Sequence, residues 1–135
     1  MSEPATPFGE RLIAAIDALG TLCVGIDPHG PLLTSWGLAD DAEGLARFVD
    51  VCLDALAGRI AVVKPQSAFF ERHGSRGIAV LERLLAAFAS TPTLTLLDVK
   101  RGDIGSTMQG YADAYLTHGA PLAADAVTLS PYLGF

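Results

Sequence analysis

A chain of 135 residues, half of them hydrophobic and 18% charged, holds enough apolar material for one ordinary domain with a packed core. Its net charge of −6 argues against nucleic acid or an anionic membrane as the main partner, yet leaves room for a small anionic substrate in a locally basic pocket. The apolar runs are too short for a membrane span, and MSEPATPFGE has neither a basic start nor an apolar h-region; the expectation is a cytoplasmic protein without a signal peptide.

In chain order, residues 1–6 are expected as a flexible tail. Residues 6–19 place Phe8, Leu12, Ile16 and Leu19 at helical spacing. TLCVGI (21–26) reads as a short apolar strand. The segment 42–58 carries Leu45, Phe48, Val49, Cys52, Leu53 and Leu56 as an amphipathic stripe. IAVVK (60–64) is a second strand. Ile78, Leu81, Leu85 and Phe88 share one face of a second internal helix. TLTLLDVK (93–100) is a third strand. STMQGYADAYLTHG (106–119) is a third helix, turning Met108, Ala112 and Tyr115 or Leu116 inward, and DAVTLS (125–130) is a fourth strand. Cys23 and Cys52 are expected as buried small hydrophobes in a reducing compartment.

After the leading helix the order is β-α-β-α-β-α-β, with near-continuous apolar strands as in a parallel sheet covered by helices. An open doubly wound sheet and a (β/α)₈ barrel both fit. The spacing of the units makes 135 residues about half of a typical barrel of roughly 250 residues. The chain also stops at SPYLGF, just after the fourth strand. The expectation is therefore a single domain over 1–135, forming the first four β/α units of a barrel; a small open α/β sheet is the alternative.

Polar residues gather where each strand ends, which is where both architectures build their sites. Asp27 follows the first strand, Lys64 ends the second, and Asp98, Lys100 and Asp103 end the third. Asp98 and Lys100 stand two apart, so a regular pleat puts them on one face. Gly102 lets the chain turn, and Ser106 or Thr107 is placed to cap the next helix. A satisfied ion-pair network and a Mg²⁺ site are the competing readings of these acids. Lys64 and Lys100 already supply positive charge there, which makes a divalent ion redundant, and His29, His73 and His118 show no ligand spacing.

GIDPH, VVKPQSAFFE, LLDVKRGDIGSTMQGYADAYL and AVTLSPYLGF resemble orotidine 5′-monophosphate decarboxylases, in particular the longer-chain bacterial subgroup, over nearly all of the chain from about residue 8. The resemblance implies a (β/α)₈ barrel that converts orotidine monophosphate to uridine monophosphate and CO₂ in pyrimidine synthesis, with no metal and no organic cofactor. It also implies a homodimer with active sites shared across the interface. Carried onto this sequence, it makes Lys100 the proton donor beside Asp98, and Asp27 and Lys64 ligands of the ribose hydroxyls. Asp103, Ile104 and Thr107 would reach into the neighbouring subunit's site.

The family's pyrimidine-reading and phosphate-gripping residues come from later strands, so they are expected beyond Phe135, and the 135 residues alone are expected to be inactive. Arg101 is a tempting phosphate ligand with no motif to support it. Two other functions compete. One is a Mg²⁺-dependent sugar-phosphate decarboxylase or synthase of the same suprafamily, in which an acidic residue stands where this chain has Lys64. The other is a non-catalytic half-barrel acting only in association.

Overall fold

The computed structural model describes residues 6–134. Residues 1–5 of the expected tail lie outside the described residues, and Thr6 precedes the first helix without regular structure. The helices are α1 (Phe8–Leu19), α2 (Gly30–Ser35), α3 (Ala42–Leu56), α4 (Ala68–Glu71), α5 (Gly74–Ala89) and α6 (Gly105–Tyr115). The strands are β1 (Cys23–Ile26), β2 (Val62–Pro65), β3 (Leu94–Arg101) and β4 (Ala126–Leu129), followed by a 3₁₀ turn at Pro131–Leu133. The short helices α2 and α4 and the 3₁₀ turn were not expected. Pieces this short carry too few turns to impose an apolar periodicity.

All strand pairs are parallel, and the sheet order is β1-β2-β3-β4. Sequential order decides between the two expected architectures. A doubly wound sheet reverses its strand order at a switch point, whereas a (β/α)₈ barrel adds each strand beside the last.

The two faces of this sheet are built differently. Val63, Leu97 and Val99 join the core formed by Leu45, Phe48, Val49 and Cys52 of α3 and Val80, Leu81, Leu84, Leu85 and Phe88 of α5. Burying one such side chain fully is worth about 1.5–3 kcal/mol, so this layer dominates the stability. Their alternation partners Val62, Leu94 and Leu96 point to the opposite face. There they pack with Ala61 against Phe8, Leu12, Ala15 and Ile16 of α1. An ion pair from Arg11 to Asp125 ties α1 to the start of β4, and Asp125 also accepts from the Thr95 amide (2.7 Å) and hydroxyl (2.9 Å). The apolar N-terminal half of the inner face is thereby covered, and its C-terminal half is left for polar groups.

Two local expectations, the burial of Cys23 and the cap of α6, need correction. Cys23 is exposed, because it lies on the opposite face of β1 from Val24 and Ile26, while Cys52 is buried as expected. Burial pushes the Cys52 thiol up to about 11. Of the two residues expected to turn inward at the end of α6, Tyr115 is the buried one and Leu116 is exposed. Neither Ser106 nor Thr107 caps α6, which starts one residue earlier than expected, with Ile104 at the cap position and no side-chain cap.

Candidate active site

β3 delivers its charged residues through an irregularity. Its register with β4 runs Leu97↔Val127 and then Arg101↔Leu129, four steps along β3 against two along β4. At this bulge Lys100 takes φ +49°, a left-handed conformation that costs a residue other than glycine about 1–3 kcal/mol. The Lys100 amide donates to the Thr128 hydroxyl (3.0 Å). Gly102 follows, and a β-carbon there would overlap the Ser130 carbonyl oxygen. Glycine is needed at 102 for this close approach of β3 to β4, which the turn reading of the sequence did not supply. Asp98 and Lys100 do meet on one side, by way of the bulge rather than through a regular pleat.

Asp98 is the centre of the arrangement. It is 4% exposed, and its two oxygens have different partners. Oδ2 takes the ammonium of Lys100 (2.7 Å), the ammonium of Lys64 and the Gln66 side-chain amide (2.9 Å). Oδ1 accepts from the Thr128 hydroxyl (2.7 Å). Burial works to raise the Asp98 pKa; hydrogen bonds from Lys100, Lys64 and Thr128 outweigh it and hold the carboxyl well below the usual carboxylate range. The lysines keep one end in solvent, with side chains 62% (Lys100) and 37% (Lys64) exposed. A buried anion thus presents two accessible ammonium groups at the C-terminal end of the sheet, a place suited to stabilising negative charge on a bound molecule.

The other expected site residues lie further out. Asp27 follows β1, is exposed, and makes no ion pair among the described residues. Asp103 accepts from the Ile104 amide (2.8 Å) and does not pair with Lys100. Ile104 and Thr107 are exposed. Asp103 and Ile104, with Met108 and Leu133, line a depression of about 410 Å³ at the start of α6. Arg101 is already engaged: it donates to Glu71 (2.7 Å) and to the Val99 carbonyl (3.0 Å), and its guanidinium lies 5.8 Å from the Tyr111 ring centroid. The Ser67 hydroxyl donates to the same Glu71 oxygen (2.6 Å), and the Ser67 amide to the Asp98 carbonyl (3.2 Å). Arg101 therefore braces the end of β3 from behind and is not a free phosphate ligand. Among the described residues, no three His, Cys, Asp or Glu side chains are grouped to hold a metal ion.

A family model described as orotidine 5′-phosphate decarboxylase / HUMPS matches residues 20–135. The chain belongs to that family. It is 64% identical over 129 residues to an orotidine 5′-phosphate decarboxylase of Nocardioides sp., covering 96% of this chain and 47% of the relative. Against the Streptomyces coelicolor orotidine 5′-phosphate decarboxylase the identity is 57% over 129 residues, covering 96% and 46%. Among solved structures, a Streptomyces avermitilis chain provisionally described as an orotidine 5′-phosphate decarboxylase superposes with a TM-score of 0.96 at 56% identity, over 98% of this chain and 47% of that one. Leishmania donovani OMP decarboxylase gives 0.73 at 34% identity, over 96% and 46%. The chain spans about half the length of the curated relatives it matches. Sequential β/α units and this coverage make it about half of the decarboxylase barrel.

Sequence reasoning missed Gln66 and Thr128. Both were open to the period-two rule that found Lys100: Gln66 extends the line of Val62 and Lys64, and Thr128 follows Ala126, the partner of Leu96. Their neutral side chains drew no attention beside four charged residues.

Proposed function

We propose that the complete protein decarboxylates orotidine 5′-monophosphate to uridine 5′-monophosphate in pyrimidine synthesis, with this chain supplying the charged catalytic cluster. The observation that carries the reading is the pairing of Lys64 and Lys100 on one oxygen of the buried Asp98. Similarity to the Nocardioides and Streptomyces coelicolor decarboxylases supports the choice of substrate.

Breaking the bond between the pyrimidine ring and its carboxylate leaves the electron pair on the ring carbon and releases CO₂. Lys100 stabilises that developing charge and then donates its proton to the same carbon; the neutral amine regains a proton from solvent. Asp98 aims the ammonium and repels the substrate carboxylate. At ~4 Å and an effective dielectric near 20 that repulsion is about 4 kcal/mol. Enzymes lower barriers by roughly 8–23 kcal/mol, so the ribose and phosphate ends of the substrate must contribute binding energy as well. Asp27 and Lys64 hold the ribose hydroxyls. The protein works in the cytoplasm as a homodimer, with Asp103, Ile104 and Thr107 entering the neighbour's site. Lys64 stands where the Mg²⁺-dependent sister enzymes need an acidic ligand, which favours the metal-free reaction.

The test is CO₂ release from orotidine monophosphate by the complete protein after treatment with a chelator. Turnover is expected to persist, and Lys100→Ala to lose many orders of magnitude with the fold intact. Activity that vanishes with the chelator and returns with Mg²⁺, or near-normal turnover by Lys100→Ala, would overturn the reading.

A further inference from the structure

We infer that Thr128 is a positioning residue for the decarboxylation: one hydroxyl on β4 fixes both the Asp98 carboxylate and the backbone of Lys100. The inference rests on the reading of Lys100 as proton donor.

The hydroxyl is used in both directions. Its proton goes to Asp98 Oδ1 (2.7 Å), and its oxygen accepts the Lys100 amide (3.0 Å). On the first contact, the other Asp98 partners, Lys64, Gln66 and Lys100, all meet Oδ2. Thr128 is the side chain that holds Oδ1, so it opposes rotation of the carboxylate away from the two ammonium groups. On the second contact, Lys100 sits at the bulge with φ +49°, where the register of β3 with β4 is broken. An amide in such a place needs an acceptor supplied from outside the regular ladder. Thr128 supplies it from the neighbouring strand. The direction of the Lys100 side chain and the orientation of its counter-ion are therefore set by one oxygen. A proton donor must be held close to the productive geometry, and misplacement of about 1 Å costs on the order of 100-fold in rate.

Thr128→Val keeps the branched shape and removes the hydroxyl; Thr128→Ser keeps the hydroxyl and removes the methyl group. Both are made in the complete protein and assayed beside wild type and Lys100→Ala. Thr128→Val is expected to lower kcat by about 10- to 100-fold, as for a lost hydrogen bond to a charged group, with KM changed by less than about threefold. Thr128→Ser is expected to return to within about threefold of wild type. The role is overturned if Thr128→Val keeps wild-type kcat, if the loss falls on KM alone, or if the serine variant is as slow as the valine. Should the valine variant fail to fold, Thr128→Ala against Thr128→Ser carries the same comparison. An inactive wild type or a fully active Lys100→Ala removes the decarboxylase reading and this inference together. Normal controls with an unaffected Thr128→Val remove the inference alone.

Discussion

On one side of the molecule, α3 and α5 bury Leu45, Phe48, Val49, Leu81, Leu84 and Phe88 against β2 and β3; on the other, α6 buries Tyr115 alone and no residue of β4 is buried. Five exposed apolar residues lie close together in the chain on the second side, Ile104, Leu116, Leu129, Tyr132 and Leu133, each at least 49% exposed. Ile13, Leu22, Trp36 and Val51 are comparably exposed but scattered over α1, the start of β1, the end of α2 and α3. The candidate site straddles this difference. Asp98, with its lysines, is anchored in the well-packed region, while Asp103, Ile104 and Thr107 stand on the sparsely packed one. A buried carboxylate between two ammonium groups needs a rigid surround to keep its geometry, whereas the proposed reach of the other three into a neighbour needs an accessible surface.

The largest effect should come from the packed side. In the 135-residue chain, Phe88→Ala removes a fully buried ring and is expected to cost about 3–5 kcal/mol in urea unfolding. A cost below about 1 kcal/mol would mean that the α5 layer is not the stabilising one.

An intermediate effect concerns acid. The folded pKa of Asp98 lies below its unfolded value, so its contribution to stability is complete above the ordinary carboxylate range near pH 4. It is lost as pH falls through the folded value. Replacing both lysines, Lys64→Met with Lys100→Met, leaves burial as the ruling influence on Asp98. Acid unfolding followed by circular dichroism should then begin at a higher pH than in the unsubstituted chain. An unchanged or lower onset would show that the lysines do not hold the carboxyl down.

The smallest effect should come from the other side. Leu133→Ala, at a residue 54% exposed, is expected to change the unfolding free energy of the chain by no more than about 0.5 kcal/mol. A cost equal to that of Phe88→Ala would erase the contrast between the two sides.

Much of this was legible in the sequence. The apolar stripes of α3 and α5 follow from periodicity, the four strands from short continuous apolar runs, and the charges at the strand ends mark the site. What the sequence could not specify is long-range. Sequential strand order depends on how the strands pair, and both candidate architectures share the same element order. The bulge at Lys100 arises from the register with β4, about 28 residues further on. Arg101 looked free because its partners Glu71 and Tyr111 lie on separate helices, and Cys23 looked buried because an apolar strand does not reveal which of its faces is covered.

The central proposal is that the packed side of this chain serves its own active site and the α6 side serves a neighbour's. Mixing two inactive variants of the complete protein, Lys100→Ala and Asp103→Ala, tests it directly. In a mixed dimer one site carries both lesions and the other carries neither. With free subunit exchange, half of an equal mixture is heterodimer with one good site of two, so about a quarter of wild-type activity should return. If Asp103 serves its own subunit, every site keeps a lesion. No recovery, with subunit exchange demonstrated independently, would contradict the account.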